Sequence, residues 1–124
     1  MWAQVAPERS RDRRTAKFLY FVCRDASIPA QPGEISGAVD IWLADVVARH
    51  VLLEGQPLAP PSTAVTVRVR DGRVFDEAGP FAEASEHIVG FDIVECPSME
   101  DAVAGARRHP MAPFGAIEVR AFDE

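Results

Sequence analysis

Residues 63–75, TAVTVRVRDGRVF, constrain the fold more tightly than any other stretch of the chain. Val65, Val67 and Val69 alternate with Thr66, Arg68 and Arg70, the two-residue period of a strand with one apolar and one polar face. Asp71-Gly72 supplies the residue pair that a type I′ turn demands, because both of its central positions have positive φ. The spacing predicts a β-hairpin over residues 64–76.

The remaining elements assemble around that hairpin. KFLYFVC, residues 17–23, is a nearly continuous apolar run of the kind found in a strand covered on both faces, and a loop with two prolines and two glycines follows it. From about Ser36 the period lengthens: Val39, Leu43, Val46 and Val47 share one side of a helix of roughly fourteen residues, opposite Asp40, Asp45 and Arg49. VLLEGQPL fits a short strand, and Pro57, Pro60 and Pro61 beyond it require an extended connection. IVGFDIVEC, residues 88–96, has the β-branched and aromatic content of a central strand. Ser98 with Asp101 resembles a capping box opening a second helix, which must stop before Pro110, and AIEVRAF alternates as a closing strand. The order β, α, β-hairpin, β, α, β predicts an α+β, ferredoxin-like antiparallel sheet with both helices on one face. The opposite face would then present a large apolar patch, and pairing of two such faces makes a homodimer the expected assembly.

Length and charge narrow the function classes. The chain has 124 residues, 48% of them hydrophobic and 26% charged, as expected of one globular domain. No apolar run reaches the length of a spanning helix and the N-terminus has no secretory core, so no membrane partner and a cytoplasmic location are expected. Arg9, Arg11, Arg13, Arg14 and Lys17 hold five of the thirteen basic residues, which leaves 8 basic against 17 acidic side chains from residue 18 onward, a net −9. Such an acidic body argues against nucleic acid as a partner. Residues 1–16 read as a disordered basic extension and residues 17–124 as the domain. Cys23 and Cys96 lie far apart in apolar runs, as buried free thiols do. The sequence has no metal-ligand spacing, phosphate-cradling glycine loop or nucleophile elbow, so no cofactor or metal is expected.

EAGPFAEASEH, residues 77–87, is the densest cluster of chemistry. Gly79-Pro80 sets a turn, and Phe81 is expected to plug against the sheet. A helical turn over residues 82–87 would put Glu83 and His87 four residues apart on one side, where a carboxylate orients an imidazole for general base catalysis. The same residues also fit a solvated surface pair. Arg68, Arg70 or Arg120 would strengthen the catalytic reading by binding a substrate carboxylate. His50 and His109 end the two helices and read as cationic caps.

The order PP, TVRVRDGR, GPFAE, a GF strand, an acidic-capped helix and a closing EVR strand resembles the YCII-related, or DGPF-motif, proteins over about residues 50–122, with KFLYFVC as the opening strand. The resemblance implies a ferredoxin-like dimer, an α+β barrel of two sheets with a cleft near the dimer interface. Related members are thought to act as small-molecule lyases or isomerases, and some are encoded beside extracytoplasmic-function sigma factors. The family's motif Asp is Ala78 here, the Lys usual two residues after its Glu is Ser85, and a Gln-like position is His87. Together these readings give a candidate site of His87 as base, Glu83 as its orienter, and Arg70, Phe81 and Ser85 as ligand contacts, for a small anionic or phenolic ligand. The competing reading is a non-catalytic accessory or regulatory protein, and the sequence leaves catalysis itself open.

Overall fold

The computed structural model describes residues 15–49, 51–81 and 86–123, Glu86 by its backbone alone. In chain order the elements are β1 (Ala16–Asp25), α1 (Glu34–Ala48), β2 (Leu52–Pro57), β3 (Val65–Arg70), β4 (Arg73–Ala78), β5 (Glu86–Cys96), α2 (Met99–Arg107) and β6 (Gly115–Ala121). Four strands form one antiparallel sheet in the order β2-β5-β1-β6, while β3 and β4 pair only with each other. Without the hairpin, that order is the ferredoxin-like arrangement, with two βαβ units interleaved so that β5 and β1 occupy the centre. The expected α+β class, both helices on one side, is therefore what the chain adopts, and IVGFDIVEC is a central strand.

Alternation along β1 sorts the two faces. Phe18, Tyr20 and Val22 are buried beneath the helices, and register places Val94, Asp92 and Gly90 of β5 beside them. The core cluster is Phe18, Tyr20, Val94, Ala102 and Ala106, with Leu52, Ile117 and Val119 packed against it. Tyr20 donates its hydroxyl to the Ala102 carbonyl at 2.6 Å, tying β1 to α2. Gly105 permits that close approach, because a Cβ there would stand 2.7 Å from the Tyr20 oxygen.

The other face carries Leu19, Phe21, Phe91 and Ile93 at its centre, all half-buried, in cross-strand pairs Leu19–Ile93 and Phe21–Phe91. Glu54, opposite Ile93, and Glu118 and Arg120, opposite Phe21 and Leu19, surround them. No described element covers this face.

Local signals explain the boundaries. The Asp71 and Gly72 φ values of 53° and 74° are the left-handed pair that the type I′ turn required. The hairpin runs two residues beyond the expected end, to Ala78. Ser98 caps α2 as expected, accepting from the Asp101 N–H at 3.2 Å. In α1 the apolar stripe is shallower than its spacing suggested: Val46 is buried, Val39 and Leu43 are half-buried, and Val47 is exposed. This helix touches the core mainly through Val46 and the Trp42 ring, and Ile41 and Val47 stay exposed. Strand β1 begins at Ala16, one residue inside the segment expected to be disordered, and residues 1–14 lie outside the described chain.

Candidate functional site

The loop from β4 to β5 was expected to carry the site. Its first turn is built as the sequence implied: Gly79 has φ 102°, its N–H donates to the Ala64 carbonyl at 2.7 Å, and its carbonyl accepts from the Thr66 hydroxyl at 2.8 Å. Phe81 is 76% exposed and does not plug the sheet. Glu83 and Ser85 lie outside the described residues. The helical turn expected over residues 82–87 does not reach its end, because Glu86 and His87 already belong to β5, paired with Asp25 and Arg24 of β1. Ladder hydrogen bonding to a neighbouring strand overrides the local i, i+4 geometry.

Arg24 therefore stands directly across from His87, with Cβ atoms about 5 Å apart, as for any opposed pair in an antiparallel ladder. The guanidinium donates to the Asp25 carbonyl and, at 3.1 Å, to the Phe114 carbonyl, and lies 5.7 Å from the Phe114 ring centroid. These contacts fix its plane at the end of the sheet. Just before this pair the β1–β5 register shifts between Val22 and Cys23, with Val89 as the extra residue. Bulges of this kind re-aim the side chains beyond them and occur often beside active sites. Arg70, the expected anion anchor, is exposed at the hairpin tip opposite Arg73 and donates to the Val69 carbonyl. No hydrogen bond or ion pair links it to His87 among the described residues.

A second polar constellation lies under the helices. His109 is 4% and Asp92 7% exposed, and His109 Nε2 stands 2.8 Å from Asp92 Oδ2. The Met111 N–H donates to His109 Nδ1 at 3.1 Å, so Nδ1 is the acceptor and the ring proton sits on Nε2, donated to the carboxylate. Both ring nitrogens are thus engaged, and no lone pair is left to take a proton from a ligand. The pair clamps the end of α2 onto the central strand, and Trp42, 4.4 Å away between ring centroids, seals it. His109 is accordingly not the exposed cationic cap that its place after a helix suggested. Gly55, opposite Asp92 on β2, makes room for the carboxylate: a Cβ there would fall 2.3 Å from Asp92 Oδ1. His50 lies outside the described residues.

Between α1 and α2 a cleft of about 940 Å³ opens over Tyr20, Trp42 and Cys96. Burial pushes the Tyr20 phenol on its floor up to about 12 and raises the Cys96 thiol as well. The Asp45–Arg49 ion pair at 3.1 Å closes one side. Among the described residues, no group of three or more His, Cys, Asp or Glu side chains is placed to hold a metal ion, and no helix is long and apolar enough to cross a membrane.

The YCII-related domain model matches residues 24–123. The chain belongs to the YCII-related family. The matched span opens at Arg24 and includes both residues of the candidate pair, the hairpin and both residues of the buried clamp. An uncharacterised protein of Rhizobium meliloti (strain 1021) is 38% identical over 65 residues, which is 51% of this chain and 52% of that protein. The chain thus spans about half the length of the curated relative it matches.

Two residues emerge that the sequence reading had not placed in a site. Asp92 had a legible signal, as the one carboxylate inside IVGFDIV, because a buried charge in a central strand requires a buried donor. Arg24 had a weaker one. It follows directly on the first apolar run, but its partner is set by register with a strand more than sixty residues away.

Proposed function

We propose that this YCII-related protein is a homodimer that binds a small anionic or phenolic molecule at the end of β1 and β5, and that it performs proton transfer of the lyase or isomerase type there. The observation that carries this reading is the Arg24–His87 pair beyond the β-bulge, where register sets a residue with a fixed guanidinium opposite a half-buried histidine on central strands. A guanidinium binds a carboxylate or phenolate, and an imidazole within reach removes or returns a proton at the adjacent carbon. Arg24 thereby takes the role that the sequence suggested for Arg70. Glu83, Ser85 and Phe81 precede His87 in the chain, and Phe81 is exposed.

Dimerisation is supported by the uncovered face of Leu19, Phe21, Phe91 and Ile93, whose apolar centre and charged rim have the anatomy of an interface.

The test is exchange of carbon-bound protons with D2O, followed by proton NMR, across small 2-oxo acids, hydroxy acids and phenols. Exchange in at least one substrate, lost in His87→Gln and weakened through KM in Arg24→Met, is the expected result. Exchange that persists in His87→Gln removes the base from the mechanism. No exchange with any of them, together with retention of a specific protein on the immobilised chain, favours the accessory-protein reading.

A further inference from the structure

The β3–β4 hairpin has two faces in different states. On one, Arg68 pairs with Glu77 and Arg73 lies 5.7 Å over the Phe75 ring, so the side chains satisfy one another. On the other, register brings Val65, Val67 and Val69 together with Val74, Asp76 and Ala78, and the four valines are between 55% and 66% exposed. A two-stranded hairpin is marginally stable in water unless a further layer covers its apolar face. Its base is closed by the bonds of Gly79 with Ala64 and Thr66.

We propose that the hairpin is an inter-subunit arm, whose valine face lies on the open sheet face of a second copy of this chain. The proposal rests on the dimer reading above and names what completes that interface. The chain carries two uncovered apolar surfaces, this face and the centre of the four-stranded sheet, and within one copy they do not cover each other. A two-fold axis that brings each arm onto part of the other copy's sheet, with the rest of the two sheets facing each other, uses both surfaces on both copies, whereas a head-to-tail contact leaves one of each exposed.

Dimensions favour the same occupant. At the usual strand spacing and rise, the sheet face projects roughly 450 Å² and the hairpin about 200 Å². The sheet alone falls short of the roughly 800 Å² per partner of a standard interface, and the arm brings the pleated surface close to it. Charge agrees: Arg70 and Arg73 sit at the arm's tip, and Glu54 is an exposed carboxylate on the open face.

Sedimentation velocity of the full chain tests this, comparing the wild type with Val67→Asp/Val69→Asp on the valine face and with Phe75→Gln on the opposite one. A wild-type dimer whose self-association weakens at least 100-fold in the valine variant and less than 3-fold in Phe75→Gln is expected. A wild-type dimer unaffected by the valine variant overturns the arm while leaving the dimer intact. A monomeric wild type overturns both. Should the valine variant fail to fold, hydrogen exchange of wild-type amides 65–78 decides: protection that rises with protein concentration across dimerisation supports the arm, and fast exchange in the dimer overturns it.

Discussion

Replacing His109 with Ala removes the sole donor to the Asp92 side chain among the described residues and leaves a carboxylate that is 7% exposed without compensation. It also removes the acceptor of the Met111 N–H and the ring packed against Trp42. Removing the partner of a buried charge costs about 3–5 kcal/mol, so a loss of roughly 4 kcal/mol is expected. Asp92→Asn is different. The Asn carbonyl still accepts from Nε2–H in the same place, so the change only exchanges a charge-assisted hydrogen bond for a neutral one, a loss of about 1 kcal/mol. Asp92→Ala falls between them at about 2–3 kcal/mol, because it strands a neutral N–H rather than a charge. At about 4 °C per kcal/mol for a domain of this size, the melting temperatures should fall by roughly 4 °C in Asp92→Asn, 10 °C in Asp92→Ala and 15 °C in His109→Ala. Urea unfolding at pH 7, with m unchanged, measures the same ranking. A loss in Asp92→Asn equal to that in His109→Ala would refute the assignment of the proton to Nε2, and a loss below 1 kcal/mol in His109→Ala would refute the clamp.

Gly55→Ala should destabilise by about 1–3 kcal/mol, because its methyl collides with Asp92 Oδ1, and that loss should largely vanish in an Asp92→Ala background, read as a double-mutant cycle in urea. Tyr20, whose phenol is pushed up to about 12 chiefly by burial, contributes stability that is complete below its ordinary value near 10 and lost as pH rises through 12. Tyr20→Phe should therefore flatten the stability profile over that window, while losing about 1 kcal/mol at neutral pH with the bond to Ala102. Ser98→Ala should cost about 1 kcal/mol, seen as faster amide exchange in the first turn of α2.

Periodicity sufficed where an element is determined by its own residues. The turn at Asp71-Gly72 and the cap at Ser98 follow from local backbone requirements, and both formed as the sequence implied. Wherever ladder register or layer packing decides, local pattern was a poorer guide. Val47 carries the right spacing for the α1 stripe yet stays exposed, because Trp42 and Val46 already make that helix's contact with the core. Glu83 and His87 stand four residues apart in sequence, but pairing with Arg24 draws His87 into a strand. His109 follows a helix as a capping cation would, and only the fold over the sheet reveals that Asp92 lies beneath it. For the proposed pair, the sequence pointed to His87 as a candidate, whereas Arg24 is set opposite it only by the register of β1 against β5.

The pairing of His87 with Arg24 as a ligand site is tested most directly by the imidazole Hε1 resonances of the three histidines, assigned by His→Gln variants, during titration with small carboxylates and phenols. A saturable shift of the His87 resonance, with His109 unmoved and the response abolished in Arg24→Met, is the predicted result. A His87 resonance that ignores every compound, or that responds equally in Arg24→Met, would contradict the account.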